Sequence, residues 1–238
     1  MASPPAAQQW TPDRCTDFHA AAFDNDDELT DTPLSSGSAD IDRRGHPRGW
    51  TPLMISAAVS RMLVNVGANL EAAELTGGWT PLMIAAGEGH SKVVGILLNK
   101  GADLSVVNNL GATALTISAS LGHVAATRML VNAGANDLEE AELMGAWTPL
   151  MMAAYKGHSQ VVGILLNKDA DLSVVDKWGS AVLIISARLG HVAVTRMLVT
   201  AGANLDTADP QGWTPLMVAA SKGHSQVTGI FLKEQTYR

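Results

Sequence analysis

The six residues Gly-Trp-Thr-Pro-Leu-Met stand at Gly49–Met54, Gly78–Met83 and Gly212–Met217, and once more with alanine leading at Ala146–Met151. This recurrence constrains the chain more than any other feature, because a period of about 20–50 residues marks a stacked array, not a single closed core. Two divergent copies, "GATALTISASLGHVAATRML" from Gly111 and "GSAVLIISARLGHVAVTRML" from Gly179, fill the gaps. Successive starts are then 29, 33, 35, 33 and 33 residues apart. A Gly-His pair keeps the same beat at Gly89, Gly122, Gly157, Gly190 and Gly223. "GAN" or "GAD" does so at Gly67, Gly101, Gly134 and Gly202, with Asp169 in that place in one unit. From Gly78 onward a Trp-bearing unit alternates with an "LGHVA" unit, so the chain reads as tandem copies of a two-unit block.

Each unit reads as a pair of short helices. Thr80 can cap the first with its hydroxyl, and Pro81 fits the first helical position, where an N–H has no partner anyway. Leu82, Met83, Ala85 and Ala86 continue that helix, and Gly89 ends it in a turn that wants positive φ. A second helix over about Ser91–Asn99 carries Val93, Val94, Ile96, Leu97 and Leu98 toward a core. Gly101 follows at another left-handed position, and "ADLSVVNNL" leads on as an extended, turned finger. Helices this short are marginal in isolation, so stacking on neighbours must stabilise them.

"GWTPLMIAAGEGHSKVVGILLNKGADL" resembles an ankyrin repeat, with its Thr-Pro-Leu opening and its period near 33 residues. The resemblance runs from Gly49 to the end and implies an all-α solenoid of stacked helix-turn-helix units with extended finger loops. The units fall at 49–77, 78–110, 111–145, 146–178, 179–211 and 212–238. One departure recurs: Met54, Met83, Met151 and Met217 stand where the family has a histidine that ties adjacent turns together. Its loss implies weaker polar linkage between units and softer packing.

The pattern breaks in five places. The unit at 49–77 lacks five residues around its inter-helix turn, which predicts a distorted hairpin across Ile55–Val64. Residues 13–48 are acidic and match the register loosely, reading as a degenerate N-capping repeat behind a flexible tail at 1–12; Pro33 argues against its second helix. The last unit stops after its second helix, which predicts a partly exposed Phe231 and leaves open a fragment of a longer protein. Asp169 replaces a left-handed Gly and Ala181 replaces a capping Thr, each at a cost of about 1 kcal/mol.

Composition excludes several functions. Residues 1–48 hold nine acidic residues and four arginines within a chain of net charge −7, so no basic footprint for nucleic acid is visible. A single cysteine, Cys15, allows no intramolecular disulfide framework, which fits a cytoplasmic or nuclear setting. No secretory leader and no membrane span is read. Five of the seven histidines repeat with the Gly-His turn, too far apart for one metal, and read as framework residues. No phosphate loop, nucleophile elbow or calcium loop is found. The expectation is a monomer that is not an enzyme and takes no cofactor, metal or small-molecule substrate.

The resemblance places partner contacts on the concave surface made of finger tips and first helices. The residue after each unit's leading Gly lies there: Trp50, Trp79, Ala112, Trp147, Ser180 and Trp213. So do Asn108, Asn109, Asp176, Lys177 and Trp178, and the first-helix ends with Tyr155, Lys156, Arg188 and Lys222. Two readings of the tryptophans stay open. Trp147, Trp178 and Trp213 with Tyr155, Lys156, Arg188 and Lys222 form an aromatic and basic patch for an acidic or extended peptide. Alternatively, each Trp lies on the neighbouring finger and packs the array.

Overall fold

A computed structural model describes residues 51–55, 67–135 and 146–236. Among the described residues the first helix, α1 (Pro52–Ile55), precedes five helix pairs. These are α2 (Pro81–Gly87) with α3 (Ser91–Asn99), α4 (Ala114–Leu121) with α5 (Val124–Asn132), and α6 (Pro149–Lys156) with α7 (Ser159–Leu166). Then come α8 (Val182–Leu189) with α9 (Val192–Thr200), and α10 (Pro215–Ser221) with α11 (Ser225–Thr236). The first helices stack on one another in one row and the second helices in another, which is the all-α solenoid expected. Residues 13–48, Trp50 and most of the shortened hairpin lie outside the described residues, so the expectations placed on them do as well.

Local chemistry explains why the pairs form. The hydroxyls of Thr80, Thr113, Thr148 and Thr214 accept from the N–H groups of Met83, Thr116, Met151 and Met217 at 3.2–3.4 Å. Ala181 offers no such oxygen, and α8 begins without a side-chain cap. Gly122, Gly157 and Gly190 close their helices in the left-handed conformation. Asp169 adopts φ 59° as its position demands, and Ala146 adopts φ 58° where the sister units carry Gly.

Between the two rows lies a continuous apolar core. Leu82, Leu115, Leu150 and Leu183 fill it from the first helices, and Leu97, Leu130, Leu165 and Leu198 from the second. Phe231 occupies the next place in that second series and is buried, which corrects the expectation that it is exposed. Its register points it inward against α10; Trp213, Met217 and Leu232 are the large apolar residues left exposed in the last unit.

The two unit types differ inside this core. In the "LGHVA" units Thr127 donates to Ser118 Oγ at 3.0 Å and Thr195 to Ser186 Oγ at 3.2 Å, all four residues being fully buried. In the Trp unit at 146–178 the same places hold Ala153 and Val162, also fully buried. A shape-matched apolar pair and a mutually satisfied polar pair both occur there, and in the last unit Thr228, opposite Ala219, donates instead to the His224 carbonyl at 3.1 Å.

Met83 and Met151 are buried, and polar links between units run through the Gly-His turn. Nε2 of His123, His158, His191 and His224 meets the carbonyl oxygens of Gly87, Ser120, Tyr155 and Arg188, one unit earlier, at 2.8–3.1 Å. A carbonyl can only accept, so the ring nitrogen donates. The framework reading of these histidines is therefore the right one, and His123, His158 and His191 make no side-chain cap on their own helices.

Candidate partner-binding surface

Each unit sets two positions side by side at the face formed by fingers and first-helix ends, with Ala112 and Ser180 buried there, contrary to their reading as surface residues. The two positions are the residue after the leading Gly and the residue eight further on. The pairs are Trp79 with Gly87, Ala112 with Ser120, Trp147 with Tyr155, Ser180 with Arg188 and Trp213 with Ser221. Two are seen in contact. Trp147 and Tyr155 meet edge-on with ring centroids 4.9 Å apart. Arg188 donates to Ser180 Oγ at 3.3 Å. The histidine links run through the carbonyls of Gly87, Ser120, Tyr155 and Arg188, the second member in four of the pairs, so the ladder holds this face together from behind.

The fingers are shaped by short acceptors. Asn108 Oδ1 accepts from the N–H groups of Leu110 and Ala112. Asp176 Oδ1 does the same for Trp178 and Ser180, and Asp209 Oδ1 for Gln211 and Trp213. One side-chain oxygen thereby holds each turn closed. Asn108 and Asp176 are buried, so they build the finger and are not offered to a partner, contrary to their reading as surface residues. Asn109 joins neighbouring fingers instead, donating its N–H to the Gly77 carbonyl at 2.8 Å.

The tryptophans divide. Trp79 and Trp147 are half-buried and pack against the core. Trp147 has its Nε1 buried without a hydrogen-bond partner, so this indole presents little to a ligand beyond the edge that Tyr155 leaves open. Trp178 is 57% exposed and Trp213 44%, both on fingers whose turns are held by an aspartate. The Lys177 ammonium stands 4.5 Å from the centre of the Trp178 ring, and that of Lys156 stands 5.5 Å from the Tyr155 ring. Tyr155 is 42% exposed, and Lys156, Arg188 and Lys222 are exposed at the first-helix ends. The packing reading holds for Trp147, whose packing partner is a helix end and not the neighbouring finger, while Trp178 and Trp213 stand exposed.

Two contributors escape sequence reasoning: the histidine ladder, and Gly77, which with Gly87 brackets the Trp79 ring. The eight-residue offset between paired positions was the available signal. Among the described residues no group of three or more His, Cys, Asp or Glu could hold a metal, and no helix is long and apolar enough to cross a membrane.

The molecule is thus a helical repeat array whose fingers and first-helix ends form one extended surface. The family profile for ankyrin repeats matches residues 18–108, 101–176 and 150–237, and the chain belongs to that family. Ankyrin repeats generally mediate protein–protein interaction and are typically non-catalytic. The chain is 37% identical over 76 residues to the mouse ankyrin repeat and SAM domain-containing protein 6, covering 32% of this chain and 8% of that protein. It is 31% identical over 161 residues to the Caenorhabditis elegans ankyrin repeat and KH domain-containing protein mask-1, covering 65% of this chain and 6% of that protein. It is 30% identical over 84 residues to the Hydra vulgaris tyrosine-protein kinase HTK16, covering 35% of this chain and 11% of the kinase. The chain therefore spans a small part of each relative, and the repeats are one part of larger multidomain proteins there.

Proposed function

We propose that this chain is a non-catalytic interaction module or scaffold of the cytoplasm or nucleus. It acts as a monomer and binds a protein, through an extended acidic segment, on the concave face of fingers and first-helix ends. The observation that carries the reading is charge and exposure at one end of that face. Trp178 and Trp213 stand out from the fingers, and the charged side chains at the first-helix ends of the last three units are Lys156, Arg188 and Lys222, all basic. Exposed tryptophan beside basic residues is the composition that most often anchors an interface. Tyr155 completes the patch, Trp79 extends the same face toward the other end, and Trp147 supports it from below.

The test begins with a partner captured on the purified chain and measured by titration calorimetry. Trp178→Ala with Trp213→Ala, and separately Lys156→Glu with Lys222→Glu, should each weaken binding at least about tenfold, the range of an interface anchor. The thermal midpoint should hardly move, because all four side chains are exposed. Unchanged affinity in both double variants would sink the reading. A second reading, that the chain is the adaptor portion of a larger signalling protein, is favoured by the small share of each relative that it covers. Sequencing the transcript beyond the Arg238 codon distinguishes the two.

A further inference from the structure

The units at 78–110 and 146–178 are near-copies, yet they differ at the two positions that face a partner. Tyr155 and Lys156 of one are Gly87 and Glu88 of the other. Tyr155 covers the Trp147 ring edge-on, with centroids 4.9 Å apart. Among the described residues nothing takes that role at Trp79. The indole runs between two glycines: a Cβ on Gly77 would come within 2.8 Å of Trp79 Cδ1, and a Cβ on Gly87 would stand 3.5 Å from Cζ3. The result is a groove of about 390 Å³ lined by Trp79, Ile84, Gly87 and Leu121, with Glu74 and Glu88 at its edge. Leu121 is left 53% exposed, whereas its counterpart Leu189, in the unit after Tyr155, is 37% exposed.

We infer that this groove receives an aromatic side chain of a partner, flanked by a basic residue. The argument is one of replacement. The chain itself shows what fits against this tryptophan, since Tyr155 fills the equivalent place against Trp147. An edge-on aromatic pair adds attraction beyond the apolar area covered. Charge complements the ring. Where the sister unit carries Lys156 over its own tyrosine, this unit carries the exposed Glu88, so a basic residue beside the incoming ring meets an opposite charge. Glu74 is buried, and its carboxylate holds the finger by accepting from the N–H groups of Thr76 and Gly77. Glu88 is therefore the carboxylate that a ligand reaches. The inference rests on the concave-face reading only in that Trp79 lies on that face, and it concerns the end opposite the basic patch.

The test uses the full chain and three capped tripeptides: acetyl-Arg-Tyr-Arg-amide, acetyl-Arg-Ala-Arg-amide and acetyl-Glu-Tyr-Glu-amide. The readout is the indole N–H resonance of Trp79, assigned by its loss in Trp79→Phe. Arg-Tyr-Arg should shift it saturably, and the other two should bind more weakly by about twofold to tenfold, the worth of losing a good aromatic contact or an exposed charge pair. Gly87→Tyr should fill the groove and abolish the shift; its Cβ would stand 3.2 Å from Ile117 Cγ2, in the place where Ile185 accommodates Tyr155, and the gain in helix preference over glycine offsets that contact, so the thermal midpoint should move little. Glu88→Lys, on an exposed side chain, should reverse the preference toward Glu-Tyr-Glu. Trp178→Ala with Trp213→Ala should leave every one of these results in place, so failure of the basic patch and failure of this groove are separable. Equal binding of the Tyr and Ala peptides, or no saturable shift of Trp79 with Arg-Tyr-Arg, overturns the inference. So does a preference for Arg-Tyr-Arg that Glu88→Lys leaves unchanged.

Discussion

His191 Nε2 donates to the backbone carbonyl of Tyr155, one unit earlier, across 3.0 Å. The ring reaches that oxygen by lying over Gly157, where a Cβ would stand 2.9 Å from His191 Cε1. The turn glycine thus has two duties: it adopts φ 77° and it makes room for the next unit's imidazole. His191→Ala should lower the free energy of unfolding by about 1 kcal/mol, the net worth of one such hydrogen bond. Gly157→Ala should cost more, because it adds left-handed strain of about 1–2 kcal/mol to the lost approach. Tyr155→Ala should leave the link intact, since the acceptor is main chain. Urea unfolding of the three variants checks the order.

Ala146 and Asp169 are the two non-glycine residues at positive φ among the described residues, at 58° and 59°. Replacing Ala146 with Gly should stabilise the array by about 0.5–1 kcal/mol, the left-handed strain removed less the added freedom of the unfolded chain. Asp169→Gly should gain less, because aspartate visits the left-handed region more readily than alanine. Chemical-denaturation midpoints decide the ranking. Amide exchange should be fastest near these residues and near the uncapped start of α8 at Ala181, and slower at the Thr-capped helices.

The buried pair Ser186 and Thr195 gives a cycle with a built-in control. Ser186→Ala leaves the Thr195 hydroxyl without its acceptor and should cost about 1–3 kcal/mol. Adding Thr195→Val recreates the Ala153 and Val162 pair of the neighbouring unit and should recover most of that loss. A double variant as unstable as the single one would show that the two unit types demand different cores.

Asp103 and Asp171 accept from the hydroxyl and the N–H of Ser105 and Ser173 at 2.7–2.8 Å. The serine hydroxyl first, and its N–H second, hold each carboxyl below 3.8, the ordinary value for aspartate. A folded-state value below the unfolded one contributes stability above the unfolded value, and that stability fades as pH falls through the folded value. Carboxyl titration by nuclear magnetic resonance should give both midpoints below 3.8, and Ser105→Ala should raise that of Asp103 alone.

Much of this protein is decided by neighbours in sequence. Thr80 caps a helix because its hydroxyl lies within reach of an N–H three residues on. Pro81 starts that helix because its fixed φ suits the first turn, and Gly122 ends the next because it lacks a Cβ. Those effects act within a few residues, so they are legible in the order of amino acids, and their period makes the array legible too. The fate of the tryptophans is not local. Trp79, Trp147 and Trp213 sit in the same six-residue phrase, yet one borders an open groove, one lies under Tyr155 and one stands exposed. That difference comes from the residue eight places on and from what the adjoining unit covers, contacts that exist only once the helices have stacked. The histidine ladder has the same origin: its donors and acceptors lie 36 or 38 residues apart and meet because the units pile in register.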